Sequence, residues 1–422
     1  MYLGIIADDF TGGTDIAGFL VQNGLSVTQY LGVPQSSLME QPSDAVVISL
    51  KSRSCPVEEA VNDSLSALKW LQKQGCKKLF FKYCSTFDST DKGNIGPVTD
   101  ALLDALQSNI TVMVPALPVN GRTVYMGYLF VNVVPLNESG MRNHPVTPML
   151  DANIMRLTEQ QSLGKAANIP FSIMEEGPQV VRQKIKELQE EGIRYIVPDV
   201  LKDDHLMTLG ESVADFPLVT GGSGLGMAMA YHLRKRYGLD SKNSIEAGKP
   251  PGGKCVILAG SASVMTNVQV KNYADQGKTR KIDVHHCIED ADSYAESIAK
   301  WVISLPSEEN APLVYATASP EELNIIQKTF GAEISAQAVE HFFSSLARRL
   351  KIAGFDHFII AGGETSGAVV KALGIKAFYI GPQIAPGVPW VRAVDMPISL
   401  ALKSGNFGGE DFFSIAQTFY KQ

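Results

Sequence analysis

The sequence predicts an α/β protein with two lobes, each built on a mostly parallel sheet with helices on both faces. Short β-rich apolar runs alternate with helical patterns along most of the 422 residues, as in parallel sheets joined by crossover helices. A polar stretch at residues 241–254, with two prolines and three glycines, interrupts this alternation, which then restarts. We therefore predict domains at residues 1–240 and 255–422, joined by a linker at 241–254, with a ligand cleft between the lobes.

In the first lobe, continuous apolar runs predict buried strands, and apolar positions repeating every three to four residues predict helices. The predicted strands are residues 3–7, 27–31, 45–50, 78–83, 112–115, 195–198 and 218–220. The predicted helices are an amphipathic run at 14–21 and the segments 57–74 and 179–191.

The second lobe repeats the pattern after the predicted linker. Its predicted strands are residues 255–259, 313–316, 357–361 and 377–380, and its predicted helices are residues 263–276, 337–351 and 366–373. His285 and His286 fall in a run that we interpret as strand-like, and no third ligand stands at a spacing typical of a metal site.

The composition limits the classes of partner. The net charge of -7 argues against nucleic acid or an anionic membrane surface, although local cations still allow an anionic ligand. No apolar run reaches the ~18 residues of a membrane span, and no secretion leader is expected. Five scattered cysteines without a C-x-x-C pair indicate a reduced, cytoplasmic protein. A homo-oligomer is left open.

The first strand runs directly into Asp8 and Asp9, which precede a Thr-Gly-Gly turn and a helix. In open α/β sheets, ligands bind at the carboxyl ends of the strands. Two acids there can act as a general base, hold a metal or bind hydroxyl groups. The alternative is that they only cap the helix, but one acid suffices for a cap. We favour a functional role.

Two further polar segments of the first lobe follow strands, at residues 51–54 and 81–94. If the strands are parallel, both lie at the same edge as Asp8 and Asp9. They contribute Arg53, Lys82 and Lys92 together with many hydroxyl groups. Cations for a carboxylate and acids for hydroxyls suit a small polyhydroxy acid. The alternative for each single residue is a solvated, well-capped loop.

Three glycine-containing segments follow strands in the second lobe, at residues 258–263, 361–367 and 402–408. Small residues at a strand-to-helix turn let backbone N–H groups approach an anion, and hydroxyls and Lys403 add donors. Each loop alone is weak evidence, since glycine at a tight turn is usually structural. Three in one lobe indicate a phosphate-bearing ligand. The segments 221–226 and 277–279 fit neither the dinucleotide fingerprint nor the P-loop.

Eight segments resemble the four-carbon acid sugar kinases, with the closest similarity to the branch that acts on 3-oxo-tetronates. The segments are ADDFTGGTD, FKYCSTFDSTDKGNIGPVTDAL, PALPVNGRTVYMGYLFV, SGMRNHPVTPM, TGGSGLG, AGGETSGAVVKALG, IGPQIAPGVPW and LALKSGNFG. The resemblance spans essentially the whole chain. It implies a sugar-acid-binding first domain and a nucleotide-binding second domain. The implied reaction transfers the γ-phosphoryl of ATP, with Mg²⁺, to the 4-hydroxyl of 3-oxo-tetronate.

The resemblance also implies site residues. The residues expected to contact ATP are Ser261, Ser263, Gly362, Gly363, Glu364, Thr365 and Gly405. The residues expected to face the sugar acid are Asp8, Asp9, Arg53, Lys82, Asp88, Ser89, Thr90 and Lys92. Lys92 stands where the broader family has an arginine, and lysine cannot make the bidentate fork of arginine.

The expected mechanism uses Asp8 or Asp9 to orient and deprotonate the acceptor hydroxyl, and the sequence does not decide between them. Protein ligands for Mg²⁺ are not evident. Three alternatives remain at this point. They are a kinase for threonate or erythronate, a non-enzymatic sugar-acid sensor, and a nicotinamide-dependent oxidoreductase of sugar acids, against which the failed dinucleotide fingerprint argues.

Overall fold

A computed structural model describes residues 1–35, 42–144, 147–239, 246–250, 252–306 and 310–420. The chain divides into two compact units, Met1–Asn243 and Ser244–Gln422. In the predicted linker, residues 241–245 and 251 lie outside the described residues. Within the part that is described, no helix is both long and apolar enough to cross a membrane.

The first unit contains an eight-stranded sheet in which every pair of neighbouring strands is parallel. Its strands are β1 (Leu3–Ala7), β2 (Val27–Leu31), β3 (Ala45–Ser49), β4 (Leu79–Lys82), β5 (Thr111–Val114), β9 (Lys165–Ile169), β10 (Ile193–Pro198) and β11 (Leu218–Gly221). Their order across the sheet is β2-β3-β1-β4-β11-β5-β10-β9. The central strands are buried throughout, as expected where helices cover both faces.

Helices connect these strands. They are α1 (Phe10–Gln22), α2 (Val57–Lys73), α3 (Ile95–Ala105), α4 (Ile154–Gln161), α5 (Phe171–Glu175), α6 (Pro178–Glu190), α7 (Asp203–Ser212) and α8 (Ser223–Tyr237). The helix α2 buries Ala60, Ala67, Leu68 and Leu71, which recur at helical spacing and face the sheet. The sequence predictions at 57–74 and 179–191 match α2 and α6 to within a residue at either end.

A small antiparallel ribbon, which the sequence analysis did not predict, follows β5. It consists of β6 (Arg122–Tyr125), β7 (Tyr128–Val131) and β8 (Val134–Pro135). Met126 and Gly127, which join β6 to β7, both have positive φ (50° and 75°), as a tight hairpin turn requires. The strands are short and partly exposed, so they lack the long apolar runs that identify the strands of the main sheet.

The second unit contains a seven-stranded sheet. Its strands are β12 (Lys254–Ala259), β13 (Thr279–Lys281), β14 (Leu313–Tyr315), β15 (Phe355–Ala361), β16 (Ala377–Ala385), β17 (Val388–Ala393) and β18 (Ser399–Lys403). The order is β13-β14-β12-β15-β18-β17-β16. The first five strands are parallel, whereas β17 runs antiparallel to both neighbours. The predicted mostly parallel α/β architecture is therefore confirmed for each unit.

The helices of the second unit are α9 (Val264–Ala274), α10 (Val284–Ser304), α11 (Pro320–Phe330), α12 (Ala332–Ile352), α13 (Gly363–Leu373) and α14 (Phe412–Thr418). The interpretation of His285 and His286 as strand-like is wrong, because both lie in the first turn of α10. Trp390 of β17 is almost fully buried in the same core cluster as Phe412 and Phe413 of α14, and its Nε1 donates to the Ala416 carbonyl of α14 at 3.2 Å.

Strand register sets the positions of the polar loops. Ala7, the last residue of β1, pairs with Ser49 at the end of β3 and with Lys82 at the end of β4. In the second unit, Ala361 at the end of β15 pairs with Ala259 and Lys403, the last residues of β12 and β18. The three loops that follow adjacent strands therefore begin side by side in each unit.

Candidate active sites

The first site surrounds Arg53, and we call Asp8, Asp9, Asp88 and Arg53 the acid–arginine cluster. Arg53 donates from Nε to Asp8 Oδ2 at 2.9 Å and from Nη2 to Asp8 Oδ1 at 3.0 Å. Its Nη2 also lies 3.0 Å from Asp9 Oδ2, and its Nη1 lies 3.8 Å from Asp88 Oδ2. Three carboxylates therefore converge on a single guanidinium group.

Asp8 and Asp9 differ in their hydrogen-bond partners and in their exposure. Asp9 is the N-cap of α1, and its Oδ1 accepts a hydrogen bond from Gly12 N at 2.6 Å. The capping alternative therefore holds for Asp9 but not for Asp8, both of whose oxygens contact Arg53. The side chain of Asp8 is 6% exposed, whereas that of Asp9 is 31% exposed. A ligand can reach Asp9 more easily than Asp8.

Burial and charge act against each other in this cluster. Burial raises the pKa of the Asp8 carboxyl above 3.8, and the neighbouring Arg53 offsets part of that rise. Burial lowers the pKa of Arg53, but the Asp8 carboxylate outweighs burial and the net shift is upward. The guanidinium therefore stays charged at every pH at which the protein would be assayed.

Lys82 is the second cation of the site. Its side chain is buried, and Nζ donates to the carbonyl of Tyr83 at 3.0 Å. A Cβ on Gly12 would lie 3.1 Å from this Nζ, so the ammonium group packs against the start of α1. Within the described residues Lys82 forms no ion pair at 4 Å or less, which leaves its charge available to an anionic ligand.

The loop after β4 is held in a strained conformation that presents Asp88. Phe87 is buried with φ of 48°, a region that non-glycine residues rarely adopt. Asp88 Oδ1 accepts from Thr86 Oγ1 at 2.7 Å, and the Asp88 N–H donates to Cys84 Sγ at 3.3 Å. Burial raises the pKa of Cys84 to about 12, so its side chain is a neutral thiol.

The remaining predicted residues of this loop are arranged differently. Ser89 is buried and donates to Gln161 Oε1 at 2.8 Å, so its hydroxyl is directed to α4. Gln161 Nε2 donates to the Thr90 carbonyl at 3.0 Å, while Lys92 is exposed. Gln161 is a supporting residue that sequence reasoning missed, since it lies 71 residues beyond Thr90 and on another element.

Asn94 and Ser52 were also not singled out from the sequence. Asn94 Nδ2 donates to the carbonyls of Ser52 (2.7 Å) and Cys55 (2.9 Å), which fixes the loop that presents Arg53. The Ser52 hydroxyl is buried and has no hydrogen-bond partner among the described residues. It lines a cavity of about 10 Å³ with Asp8, Arg53 and Asp88.

The second site lies at the carboxyl-end edge of the other sheet. We call residues 260–263, 362–365 and 404–406 the glycine-loop cluster. A Cβ on Gly405 would collide with Ser261 Oγ and lie 2.8 Å from Ser263 Oγ, and one on Gly260 would collide with Thr365 Oγ1. The three loops are thus in direct contact.

One helix start in this cluster offers free donors. Gly362 precedes α13 with φ of 124°, a conformation that favours glycine. The N–H groups of Gly363, Glu364 and Thr365 have no backbone acceptor within the part of the chain described, and the space beside Gly363 is open. At α9 the Thr266 N–H is instead capped by Ser263 Oγ at 3.3 Å. The start of α13 is therefore the better anion site.

Nothing in the described ranges forms a cluster of three or more His, Cys, Asp or Glu side chains placed to hold a metal ion.

The structure is that of a two-unit α/β protein, with the acid–arginine cluster at the strand ends of the first unit and the glycine-loop cluster at those of the second. Comparison with known families agrees: residues 3–229 match the sugar-binding N-terminal domain, and residues 256–413 match the nucleotide-binding C-terminal domain. The chain belongs to the four-carbon acid sugar kinase family, in the branch of the 3-oxo-tetronate kinases.

Individual relatives cover the whole chain. The 3-oxo-tetronate kinase of Pectobacterium atrosepticum is 57% identical over 422 residues, covering 98% of each chain. That of Brucella melitensis is also 57% identical, covering 100% of this chain and 96% of its own. A crystal structure of a Haemophilus influenzae protein, 53% identical, superposes with a TM-score of 0.91 and covers 99% of this chain and 100% of that one. A Salmonella typhimurium structure, 54% identical, gives 0.94 and covers 99% and 98%.

Proposed function

We propose that the protein is an ATP-dependent kinase that phosphorylates the 4-hydroxyl of 3-oxo-tetronate and releases 3-oxo-tetronate 4-phosphate and ADP. The observation that carries this proposal is the chemistry of the two edges in one chain. One edge offers carboxylates and buried cations, which suit a polyhydroxy acid, and the other offers free backbone donors between glycines, which suit phosphate. The names of the full-length relatives support the same reaction.

We propose that the first domain spans residues 1–240, as predicted from the sequence, and that its sugar-acid site is the acid–arginine cluster with its neighbours. Lys82 is the best group for the substrate carboxylate, because its buried charge has no carboxylate partner in the described structure. Arg53 is already held by three acids, so we assign it to the keto oxygen and to positioning the acids. Asp88, Ser89, Thr90 and Lys92 complete the proposed contacts, with Ser89 acting through its bond to Gln161.

We assign the general base to Asp9. One of its oxygens caps α1 and the other lies beside Arg53, yet the side chain remains partly exposed. In the proposed step Asp9 accepts the proton of the 4-hydroxyl as that oxygen attacks the γ-phosphorus of ATP and the bond to the bridging oxygen of ADP breaks. Asp8 holds Arg53 through a bidentate pair. Positioning and charge stabilisation account for most of the rate in phosphoryl transfer.

We propose that the second domain spans residues 255–422 and that ATP binds at its glycine-loop cluster. The N–H groups at the start of α13 bind phosphate oxygens, and the open space beside Gly363 allows close approach. Ser261, Ser263 and Gly405 border the same space. Glu364 is exposed and acidic, so we assign it to the ribose hydroxyls rather than to phosphate.

We propose that Mg²⁺ enters with the nucleotide. Kinases generally need the metal to neutralise charge on the phosphates, and Mg²⁺ keeps several waters when few protein ligands are present. The lack of a three-ligand cluster among the described residues fits a metal held by phosphates and water. Use of ATP also fits the cytoplasmic location that the composition suggests.

The test is ADP release by the purified protein with ATP and Mg²⁺ across four-carbon sugar acids in both oxidation states, with a reaction lacking sugar acid as control. The proposal is supported if 3-oxo-tetronate is the one sugar acid of the panel that gives ADP and a 4-phosphate product. Turnover with threonate or erythronate instead would show a kinase that acts on a different sugar acid. ATP binding without turnover on any of them contradicts the proposal and favours a sensor.

A further inference from the structure

Lys403 is a buried lysine directly before the third loop of the glycine-loop cluster, and the proposed reaction gives it no role. It is the last residue of β18, and only 1% of it is exposed. Nucleotide contacts were expected from the serines and glycines around it, and Lys403 entered only as one more donor. The hydrogen bonds of its ammonium group indicate a different role.

The ammonium group of Lys403 is directed into the loop that follows it. Nζ donates to the carbonyl of Gly405 at 2.7 Å, to that of Ser404 at 3.2 Å and to Thr266 Oγ1 at 3.0 Å. Thr266, in the first turn of α9, in turn donates from Oγ1 to the Gly405 carbonyl at 2.8 Å. Two consecutive carbonyls are therefore drawn towards the same buried cation.

This arrangement fixes where the N–H groups of the loop are directed. In a trans peptide the C=O and the following N–H are on opposite sides, and the chain has no cis peptide in its described residues. With the carbonyls of 404 and 405 turned inward, the N–H groups of Gly405 and Asn406 are turned outward. Neither N–H has a backbone acceptor among the described residues. They form a pair of adjacent donors beside Ser261 and Ser263.

Among the described residues, no acidic side chain forms an ion pair with Lys403. No carboxylate of the described chain pairs with Nζ, and the neighbouring groups are hydroxyls and carbonyls from α9 and from its own loop. The acids on adjacent segments, Glu364 at the start of α13 and Glu410 beyond the loop, form no ion pair with it. Burial alone lowers the pKa of Lys403 to about 8. A buried, uncompensated cation at an anion site is most stable when the anion is bound.

We propose that Lys403 is a positioning residue for the nucleotide. It turns the N–H groups of Gly405 and Asn406 towards the phosphates, and its positive charge offsets the negative charge of the phosphates. This inference rests on the proposed ATP site. It predicts that ATP binding is coupled to protonation of Lys403, because the phosphates stabilise the ammonium form. Burial lowers the pKa of Lys403 to about 8 in the protein without ATP, so we expect binding near this pH to take up a fraction of a proton.

A purely structural anchor would behave differently, and Gln269 provides the matched control. Gln269 Nε2 donates to the carbonyls of Phe407 (3.2 Å), Gly408 (3.3 Å) and Gly409 (2.8 Å), so it ties down the same loop without a charge. Lys403→Met removes the charge and its bonds at similar volume, and Gln269→Leu removes the neutral anchor. Folding of both variants is checked by circular dichroism.

The experiment is calorimetric titration of the full-length protein with ATP and Mg²⁺ at pH 8 in two buffers of different ionisation enthalpy, and again at pH 7 and 9.5. For the wild type we expect proton uptake and an affinity that weakens as pH rises above 8. For Lys403→Met we expect affinity reduced by about tenfold or more at pH 7, with neither proton uptake nor this pH dependence. Gln269→Leu should keep the proton uptake and the pH dependence, and its ATP affinity should fall by less than that of Lys403→Met.

Wild-type binding without proton uptake at any of the three pH values overturns the inference, and this measurement needs no variant. Equal ATP affinity in wild type and Lys403→Met, or equal losses in Lys403→Met and Gln269→Leu, also overturns it while leaving the proposed kinase intact. No ATP binding by the wild type would instead remove the proposed function together with the inference.

Discussion

Each of the two sheets ends one of its parallel strands on a buried lysine, Lys82 at the end of β4 and Lys403 at the end of β18. Both lysines hold carbonyls of the loop that follows them. They differ in their neighbours. Lys82 lies near carboxylates that contact one arginine, whereas the hydrogen-bond partners of Lys403 Nζ are the Thr266 hydroxyl and the carbonyls of Ser404 and Gly405.

The difference reflects the ligand proposed for each edge. A sugar acid presents hydroxyl, keto and carboxylate groups, so its site needs donors and acceptors in fixed directions, which paired charges supply. A polyphosphate presents only acceptors, so its site needs backbone N–H groups that glycine allows it to approach. One consequence is that removing a single charge should damage the first site more than removing a single donor damages the second.

The largest effect is expected for Arg53→Met, because it leaves three acids without their common cation. Removing one partner of a buried charged pair costs about 2–5 kcal/mol, and turnover should fall by about 10³-fold or more because the acids lose their positions. Urea unfolding and steady-state kinetics measure the two effects.

Arg156→Met is the control for that variant. Arg156 forms the same bidentate arrangement with Asp151, at 2.8 and 2.6 Å, but its side chain is 52% exposed against 26% for Arg53. An exposed pair contributes about 0–1 kcal/mol. Similar losses in the two arginine variants would show that burial of the acid–arginine cluster is irrelevant to its strength.

The next effect is expected for Asp9→Asn. Asparagine is as good an N-cap as aspartate, so α1 is preserved and the free energy of unfolding should change little. Loss of the base should lower kcat by about 10²–10⁴-fold with a small change in KM. Asp8→Asn should instead lower the free energy of unfolding, since it disrupts the bidentate pair with Arg53. If both variants kept near-normal turnover, the base would lie elsewhere.

A smaller effect is expected in the glycine-loop cluster from Gly363→Ala. The space beside Gly363 is open and α13 begins there, so alanine fits the fold, but its methyl group stands where a phosphate would approach. We expect ATP affinity to fall by about tenfold, the size of one lost charge-assisted hydrogen bond. Calorimetry with ATP and Mg²⁺ measures this.

Substitutions at two other glycines of this segment distinguish an effect on the stability of α13 from an effect on ATP binding. Gly367 lies one turn further along α13, also beside open space, so Gly367→Ala should leave ATP affinity unchanged. Gly362→Ala introduces strain at φ of 124° and should destabilise the fold by about 1–3 kcal/mol. Unchanged ATP binding in Gly363→Ala would place the phosphates away from α13.

The smallest effect is expected for Lys92→Met. Lys92 is exposed, and an exposed charge pair contributes about 1 kcal/mol or less, so KM for the sugar acid should rise by at most about fivefold with kcat unchanged. Lys69→Met, at an exposed position on α2, is the neutral control. A loss of orders of magnitude in Lys92→Met would show that this lysine is enclosed with the substrate.

The sequence predicted the class of fold because strands buried on both faces read as continuous apolar runs. It also predicted which loops would meet, since parallel strands place their carboxyl ends at one edge. It missed the ribbon β6–β8, whose short strands are partly exposed, and it misplaced His285 and His286, because a short polar-apolar alternation occurs at the start of helices as well as in strands. Gln161 was not predicted, and Asn94 lay within the predicted segment 81–94 without a role of its own, since the bonds of both residues join segments far apart in sequence.

By itself, then, the sequence determined the α/β class. It also determined that one sheet edge carries acids and cations, that the other carries glycine-containing loops, and which residue types are available at each. The tertiary structure decided how those residues divide the work. It showed that Asp9 caps a helix while Asp8 holds Arg53, that Ser89 is bound to α4, and that Lys403 turns two carbonyls inward. These roles depend on burial and on directional hydrogen bonds between distant segments, which are set only once the strands are in register.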